Sequence, residues 1–269
     1  MRRERNPWLT GLAVVTYAFL FAPIVVLIVF SFNVSRRNFV WLGFTVDWYP
    51  RLFANQDLLH ALGVTIQVAI IAVIGSTILG SLLGLGLARF RFRGSGATET
   101  LILLPMITPE IIMGISLLIF FGQLFRQNGS LGQIGIAHIT FCISYVAIVV
   151  RARALNLDPR LEEAARDLGA SAWGAFRHVT LPLIAPAVAA GAMLTFALSF
   201  DDLIVTSFNA GVGSTTLPIY IYSAIKFGVT PQINAISTII VAVVALALLI
   251  AWRLGAFRTD ERRLVAEDA

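Results

Sequence analysis

The stretch ALSFDDLIVTSF, residues 197–208, places two adjacent aspartates in a segment that is otherwise apolar. A carboxylate at the centre of a bilayer is costly, so intramembrane acids are treated by default as functional. On a continuous helix, at about 100° per residue, Asp202 shares one face with other polar side chains and Asp201 points to another face. The polar face contains Thr195, Ser199, Asp202, Thr206 and Asn209.

We expect the two aspartates to have different roles. Asp202 is predicted to face an aqueous translocation path, while Asp201 either joins the path at its edge or pairs with a donor on another helix. The alternative is structural, with an aspartate pair that holds helices together or caps a broken helix. The sequence leaves both possibilities open.

A third acid, Glu110, stands in LLPMITPEIIMG, where Pro105 and Pro109 predict a kink or a break. Thr108, Pro109 and Glu110 would then be the N-cap, N1 and N2 residues of a second half-helix. Glu110 would lie at the positive end of that half-helix dipole. It is either a residue that starts the helix or a substrate contact.

The elements that must position these residues are membrane spans. The chain of 269 residues is 58% hydrophobic and 13% charged, far more apolar than a soluble domain. A bilayer core of about 30 Å takes about 20 helical residues. Apolar segments of that length predict an all-α bundle of about six spans in a single domain, 1–269, and no cleaved signal peptide. The predicted spans are 11–32, 62–88, 100–122, 133–151, 183–208 and 232–254.

Arginine placement predicts that both termini are cytoplasmic. Most of the 20 basic residues fall before span one or after spans two, four and six, and the positive-inside rule places those regions in the cytoplasm. The net charge of +5 is therefore a topology signal, and nucleic acid is not an expected partner. Cys142 and the three histidines, His60, His138 and His178, lack metal-ligand spacing, so no metal site is expected.

Span two carries small residues at every fourth position, namely Ser76, Gly80, Gly84 and Ala88. Such a stripe allows the backbone of another helix to approach closely. We expect its role to be structural.

The loop after span four, about 152–182, contains DPRLEEAARDLGASAWGAFRHVTLP. Asp158 and Pro159 predict a helix start, Gly169 a helix end, and Ser171 the cap of a second short helix. Leu161, Ala164, Ala165 and Leu168 form an apolar face that suits a groove on a partner. A solvated amphipathic loop on the membrane surface is the alternative.

This loop resembles the EAA motif of permease subunits in bacterial ABC importers. The residues that carry the resemblance are Glu163, Ala164, Ala165, Gly169, Val179, Leu181 and Pro182. DWYPRLFAN, which follows span one, looks like the external segment of this family. SFDDLIVTSF and LPIYIYSAIKFGVTPQINAISTIIV look like the branch that imports spermidine and putrescine. Permeases for other organic cations, phosphonates or iron share much of this frame.

The resemblance implies a type I importer permease fold in the bacterial inner membrane. It implies as partners a second permease, two cytoplasmic ATPase subunits and a periplasmic binding protein. Residues 163–169 with Leu181 and Pro182 would dock on the ATPase. No phosphate-binding glycine loop is visible in the sequence, so ATP and Mg would be bound by the partners, and this chain would hold no cofactor and would not itself be an enzyme.

A polyamine requires carboxylates for its ammonium groups and aromatic or apolar surface for its methylenes. Asp202, Asp201 and Glu110 are the candidate anions. Four aromatic residues are candidate apolar and cation–π contacts, with interfacial anchoring as their alternative role. They are Tyr220, Tyr222, Phe208 and Phe227.

Other classes of function share some of these sequence features. The main rival is the same permease role with other cargo. An ion-coupled secondary transporter would also use broken helices and intramembrane acids. However, such a carrier has no need of an EAA loop. A purely structural membrane subunit is disfavoured by the polar face of span five.

Overall fold

A computed structural model gives the structure, and it describes residues 7–35, 40–90, 92–125, 129–226, 228 and 230–253. Apart from one isolated bridge between Asn33 and Phe44, the regular structure of these residues is helical. The predicted all-α class is therefore confirmed. The α-helices are α1 (Pro7–Phe30), α2 (Trp48–Ala54), α3 (Gln56–Arg89), α4 (Ser95–Ile107), α5 (Glu110–Phe125), α6 (Leu131–Leu155), α7 (Arg160–Asp167), α8 (Ala172–Ala175), α9 (Leu181–Phe200), α10 (Ile204–Asn209), α11 (Leu217–Lys226) and α12 (Pro231–Arg253). A π-helical segment, Phe176–Thr180, joins α8 to α9.

Within the described ranges, five stretches are long and apolar enough to cross a membrane. The pair α4 and α5, bent by 109° at its junction, brings the number to six when it is counted as one broken span. This agrees with the six predicted spans. The five stretches are Pro7–Phe30, Gln56–Arg89, Leu131–Leu155, Ala172–Phe200 and Pro231–Ile250.

The chain forms two compact units. One contains residues 1–56 and 223–269, and the other contains residues 57–222. In the first unit α1 and α2 pack on α12, and no residue of α1 is buried. The segment after α1 is held by Trp48, whose Nε1 donates to the carbonyl of Asn33 at 2.7 Å.

The second unit is built around α6, which is the most buried of the candidate spans. It packs against α4, α9 and α10. The predicted small-residue stripe of α3 also lies against it. A Cβ atom at Gly80 would lie 2.7 Å from Cβ of Val146, and one at Gly84 would collide with the backbone of Ala147. The stripe therefore allows the close helix approach that was expected of it.

This packing predicts a difference between two glycines of α3. We expect Gly84→Ala to destabilise the purified protein by about 1–3 kcal/mol, because its Cβ meets backbone that must shift. Gly86→Ala is the matched control, since a Cβ there meets nothing within 4 Å. Unfolding in detergent measures both, and equal stability of the two variants would contradict the packing.

One predicted span differs from the structure. Residues 183–208 were expected to form one continuous helix, and that prediction is wrong, because α9 ends at Phe200 and α10 begins at Ile204. The Asp202 carboxylate accepts hydrogen bonds from the backbone N–H groups of Val205 and Thr206, at 3.3 and 2.7 Å. In a continuous helix these two N–H groups would donate to backbone carbonyls of the preceding turn. Because they donate to the Asp202 side chain instead, a new helix starts here.

Candidate functional site

Two broken helices meet at one cavity in the second unit. Its volume is about 520 Å³, and it lies between the α4–α5 break and the α9–α10 break. Glu110, Asp201 and Asp202 line it, together with Tyr145 of α6 and several apolar side chains. The fold therefore brings together the three acids that the sequence singled out.

The first break is made by Thr108 and Pro109. Thr108 has an extended backbone, and its Oγ1 donates to the carbonyl of Leu104 at 2.7 Å. It therefore closes the end of α4, and the prediction that it caps α5 is corrected. Pro109 begins the next turn, because its carbonyl accepts from Met113 N at 3.1 Å. Pro105 lies inside α4 and causes no break there. Glu110 is the first residue of α5.

The second break separates the two aspartates. Asp201 closes α9, and its backbone N–H donates to the carbonyl of Ala197 at 3.3 Å. Asp202 starts α10, and its Oδ2 also accepts from Thr206 Oγ1 at 2.6 Å. The side chain of Asp202 is only 6% exposed, whereas Asp201 is exposed. The two aspartates thus have different environments, and the Asp202 carboxylate caps a broken helix, which was the structural alternative.

His138 of α6 connects the two sides of this break. Its Nδ1 lies 2.7 Å from Ser199 Oγ on α9, and its Nε2 lies 3.0 Å from Thr206 Oγ1 on α10. Nε2 is also 3.3 Å from Asp202 Oδ2. Sequence reasoning set His138 aside with the other histidines. The available signal was a polar ring in an apolar span, which must find partners there.

The charged side chains that line the cavity are all acidic. Among the described residues that line it there are three carboxylates and no Lys, Arg or His. Within the same part of the chain, neither Glu110 nor Asp201 has a side-chain hydrogen bond or ion pair to another residue. In a site of reduced dielectric constant, two unpaired carboxylates attract cations strongly.

The other residues predicted for the path lie around this cavity rather than in it. Thr195 is buried and accepts a hydrogen bond from Ser76 Oγ at 3.3 Å, and Ser199 and Thr206 bond to His138. Phe208 packs on Gly114 of α5. None of these four side chains lines the cavity, and their contact with a substrate stays a prediction.

The remaining aromatic candidates lie farther along the chain. Tyr220, which is half-buried, and Tyr222, which is exposed, belong to α11, and neither lines the cavity. Thr65 fixes the start of α11 by accepting from Leu217 N at 2.7 Å. Phe227 lies outside the described residues.

The loop between α6 and α9 that carries the motif folds as the sequence indicates. Asp158 Oδ1 accepts from Arg160 N at 3.0 Å, which caps α7. Gly169 ends the helix with φ +90°, a conformation that glycine adopts without strain. Ser171 Oγ accepts from Gly174 N at 3.1 Å and caps α8. The loop is therefore a pair of short helices joined at a glycine.

One side of α7 is fastened to its own unit. Glu162 forms an ion pair with Arg89 at the end of α3 and accepts a hydrogen bond from Thr180. The other side is open, with Glu163 and Ala164 exposed and Ala165 half-buried. Leu161 is 46% and Leu168 90% exposed. An exposed apolar face on a fastened helix is suited to receive a protein partner.

Leu181 and Pro182 follow this loop directly. They form the first turn of α9 and are both exposed. The part of the motif that follows Gly169 thus continues into a helix that reaches the cavity at its other end. One helical stretch, Ala172–Phe200, thus joins the loop to the cavity.

Both the sequence and the fold of this chain resemble those of known transport proteins. Residues 76–258 match the family model described as binding-protein-dependent transport system inner membrane component. The chain is 40% identical over 266 residues to the putrescine transport system permease protein PotI of Escherichia coli (strain K12), covering 97% of this chain and 94% of that protein. It is 43% identical over 244 residues to the spermidine/putrescine transport system permease protein PotC of the same strain, covering 91% and 92%.

Among solved structures, a bacterial ABC transporter involved in the import of the acidic polysaccharide alginate has a chain with a similar fold. The TM-score is 0.69 at 17% identity, and the match covers 96% of this chain and 99% of that chain. At that identity the likeness concerns the fold alone. The predicted permease fold is confirmed by it.

Proposed function

Because the chain belongs to the family of binding-protein-dependent transport system inner membrane components, we propose that it forms half of a membrane path for polyamines such as putrescine and spermidine. It is a multi-pass inner-membrane transport subunit rather than an enzyme. The names of its relatives PotI and PotC support the cargo.

The observation that carries the cargo proposal is the cavity with three carboxylates and no basic side chain among the described residues that line it. An alkyl diamine presents ammonium groups at its ends and methylenes between them. Glu110 and Asp201 supply unpaired anions, and Tyr145, Phe141 and Met113 supply aromatic and apolar surface beside them. Both kinds of surface are thus available to one ligand.

The partners belong to the same proposal. A second permease, a homologue of this chain, completes the path, and two cytoplasmic ATPase subunits bind ATP and Mg. A periplasmic binding protein delivers the cargo. The open face of α7, with Glu163, Ala164, Ala165 and Gly169, together with Leu181 and Pro182, would bind an ATPase subunit. The arginine distribution supports cytoplasmic termini, and it likewise supports a cytoplasmic position for this face.

The chain's own part in transport follows from this geometry. Closing of the ATPase pair would push on α7, and the Glu162 contacts to Arg89 and Thr180 would transmit the movement to α3 and to the turn before α9. Because Asp201 directly follows the last residue of α9, movement of this helix changes one wall of the cavity. The cavity would open in turn to each side of the membrane.

Two other functions have less support. For the same permease role, a phosphonate does not suit a cavity lined by carboxylates, and the names of the relatives PotI and PotC favour polyamines over iron or another organic cation. An ion-coupled carrier is not favoured, because the family is one of binding-protein-dependent systems.

The test is uptake of radiolabelled putrescine and spermidine by proteoliposomes that contain the complete complex with its binding protein. We expect uptake that requires ATP and is competed by unlabelled diamines but not by phosphonates or ferric ion. If the complex took up a phosphonate or ferric ion in an ATP-dependent manner and took up neither polyamine, the proposal would be contradicted.

A further inference from the structure

The two aspartates differ in how many donors they meet. Asp202 accepts from two backbone N–H groups and the Thr206 hydroxyl, and it lies beside His138. Asp201 has no such side-chain partner among the described residues. From this contrast and the placement of His138 we infer that His138 is a positioning residue, which holds the α9–α10 break together and thereby keeps the Asp201 carboxylate in the cavity wall.

The hydrogen bonds identify where the protons lie. Thr206 Oγ1 donates to Asp202 Oδ2, so that oxygen is left as an acceptor for His138 Nε2. Nε2 therefore carries a proton and donates to Thr206 and toward Asp202. The other ring nitrogen, Nδ1, lies within hydrogen-bond distance of the Ser199 hydroxyl. Every polar atom of the ring is used.

The placement of the ring makes it a clamp. Its two nitrogens bond to residues on opposite sides of the break, one on α9 and one on α10. The ring is fully buried, 5.3 Å from Phe141 between ring centres, so water has little access to replace these bonds. Asp201 lies between the two clamped residues in sequence, and its direction depends on both.

The role of Asp201 toward a cation rests on the proposed function, whereas the clamp does not. Asparagine at position 138 can place a polar atom near the position of Nδ1, where it can bond to Ser199. The longer glutamine can place an N–H donor near the position of Nε2, where it can bond to Thr206. His138→Gln should therefore keep the link to α10, and His138→Asn should lose it. Comparing these two variants distinguishes the loss of the hydrogen bond to α10 from the loss of ring packing, because both variants lack the ring.

The first measurement is independent of cargo. Leu203→Cys places a thiol in the break, beside the cavity, and its reaction with a neutral maleimide is followed in the whole complex, with the protein that has only buried Cys142 as background. We expect the rate to rise several-fold with His138→Asn or Thr206→Val and to stay near the parent rate with His138→Gln. Equal rates in all variants that assemble would overturn the inference, whatever the cargo is.

The second measurement separates positioning from a structural role. His138→Asn should raise the KM for putrescine roughly tenfold, the size expected when a bond to a charged group is lost, with basal ATP hydrolysis unchanged. In an Asp201→Asn background the same change should raise KM by less than about twofold, because the carboxylate that it orients is absent. Equal effects in the two backgrounds would overturn the positioning role. If the wild type takes up no polyamine, the proposed function fails, and the maleimide rates of the Leu203→Cys variants still decide the clamp.

Discussion

Replacing Glu110 by Gln and Asp201 by Asn together is expected to lower putrescine uptake at low concentration by about a hundredfold or more, since each lost charge pair is expected to cost about tenfold. Both carboxylates line the cavity, and neither has a side-chain partner among the described residues. Because no basic neighbour in the described lining depends on them, their neutralisation should leave folding and assembly intact. Uptake into proteoliposomes and basal ATP hydrolysis are measured on the same samples.

The control is Asp57→Asn, which removes an exposed carboxylate at the start of α3 that does not line the cavity. We expect it to transport as the wild type does. Normal uptake by the double variant would contradict the assignment of this cavity to the cargo. Each single variant should show an intermediate loss.

Placing charges on the open face of α7 is expected to prevent binding of the ATPase subunits and to abolish ATP-driven uptake. In Leu161→Asp with Leu168→Asp, two exposed apolar side chains become charged, and a buried unpaired charge at an interface is strongly unfavourable. We expect the ATPase subunits to be lost during purification of the complex and ATP-driven uptake to fall to background. Co-purification and uptake are the two measurements.

Leu42→Asp is the matched control for that pair, because Leu42 is also exposed but belongs to a different segment, the one between α1 and α2. It should retain the ATPase subunits. Retention of stoichiometric ATPase by the α7 variant would contradict the docking role of this face. The isolated chain should remain folded in both variants, since none of the three side chains is buried.

Local signals in the sequence predicted the first break and the loop. Proline removes a backbone donor wherever it stands, so Pro109 marked the bend between α4 and α5. Gly169 and Ser171 are residues whose chemistry suits helix ends, and both lie at helix ends. Pro105 shows the limit of this reasoning, because the helix around it continues.

The second break had no proline or glycine to mark it. It depends on the Asp202 cap and on His138, which is distant from Asp202 in sequence and meets it only in the fold. Three members of the predicted polar face, Ser199, Asp202 and Thr206, meet at His138 although the helix that was expected to carry them is broken. The members of this face serve largely as hydrogen-bond partners between helices, and Asp201, which was placed off that face, is the more exposed acid.

The most direct test of the central claim is the charge preference of the cavity itself. Thr108→Cys places a thiol in its wall, and Thr98→Cys is the control, since both threonines donate to the carbonyl four residues earlier and only Thr108 lines the cavity. In the detergent-solubilised complex we expect the thiol of the Thr108→Cys variant to react faster with a cationic thiol reagent than with an anionic one, and putrescine to slow the cationic reaction. The thiol of the Thr98→Cys variant should show neither effect. Equal rates for both reagents in the Thr108→Cys variant, with no protection by putrescine, would contradict a cation site at this cavity.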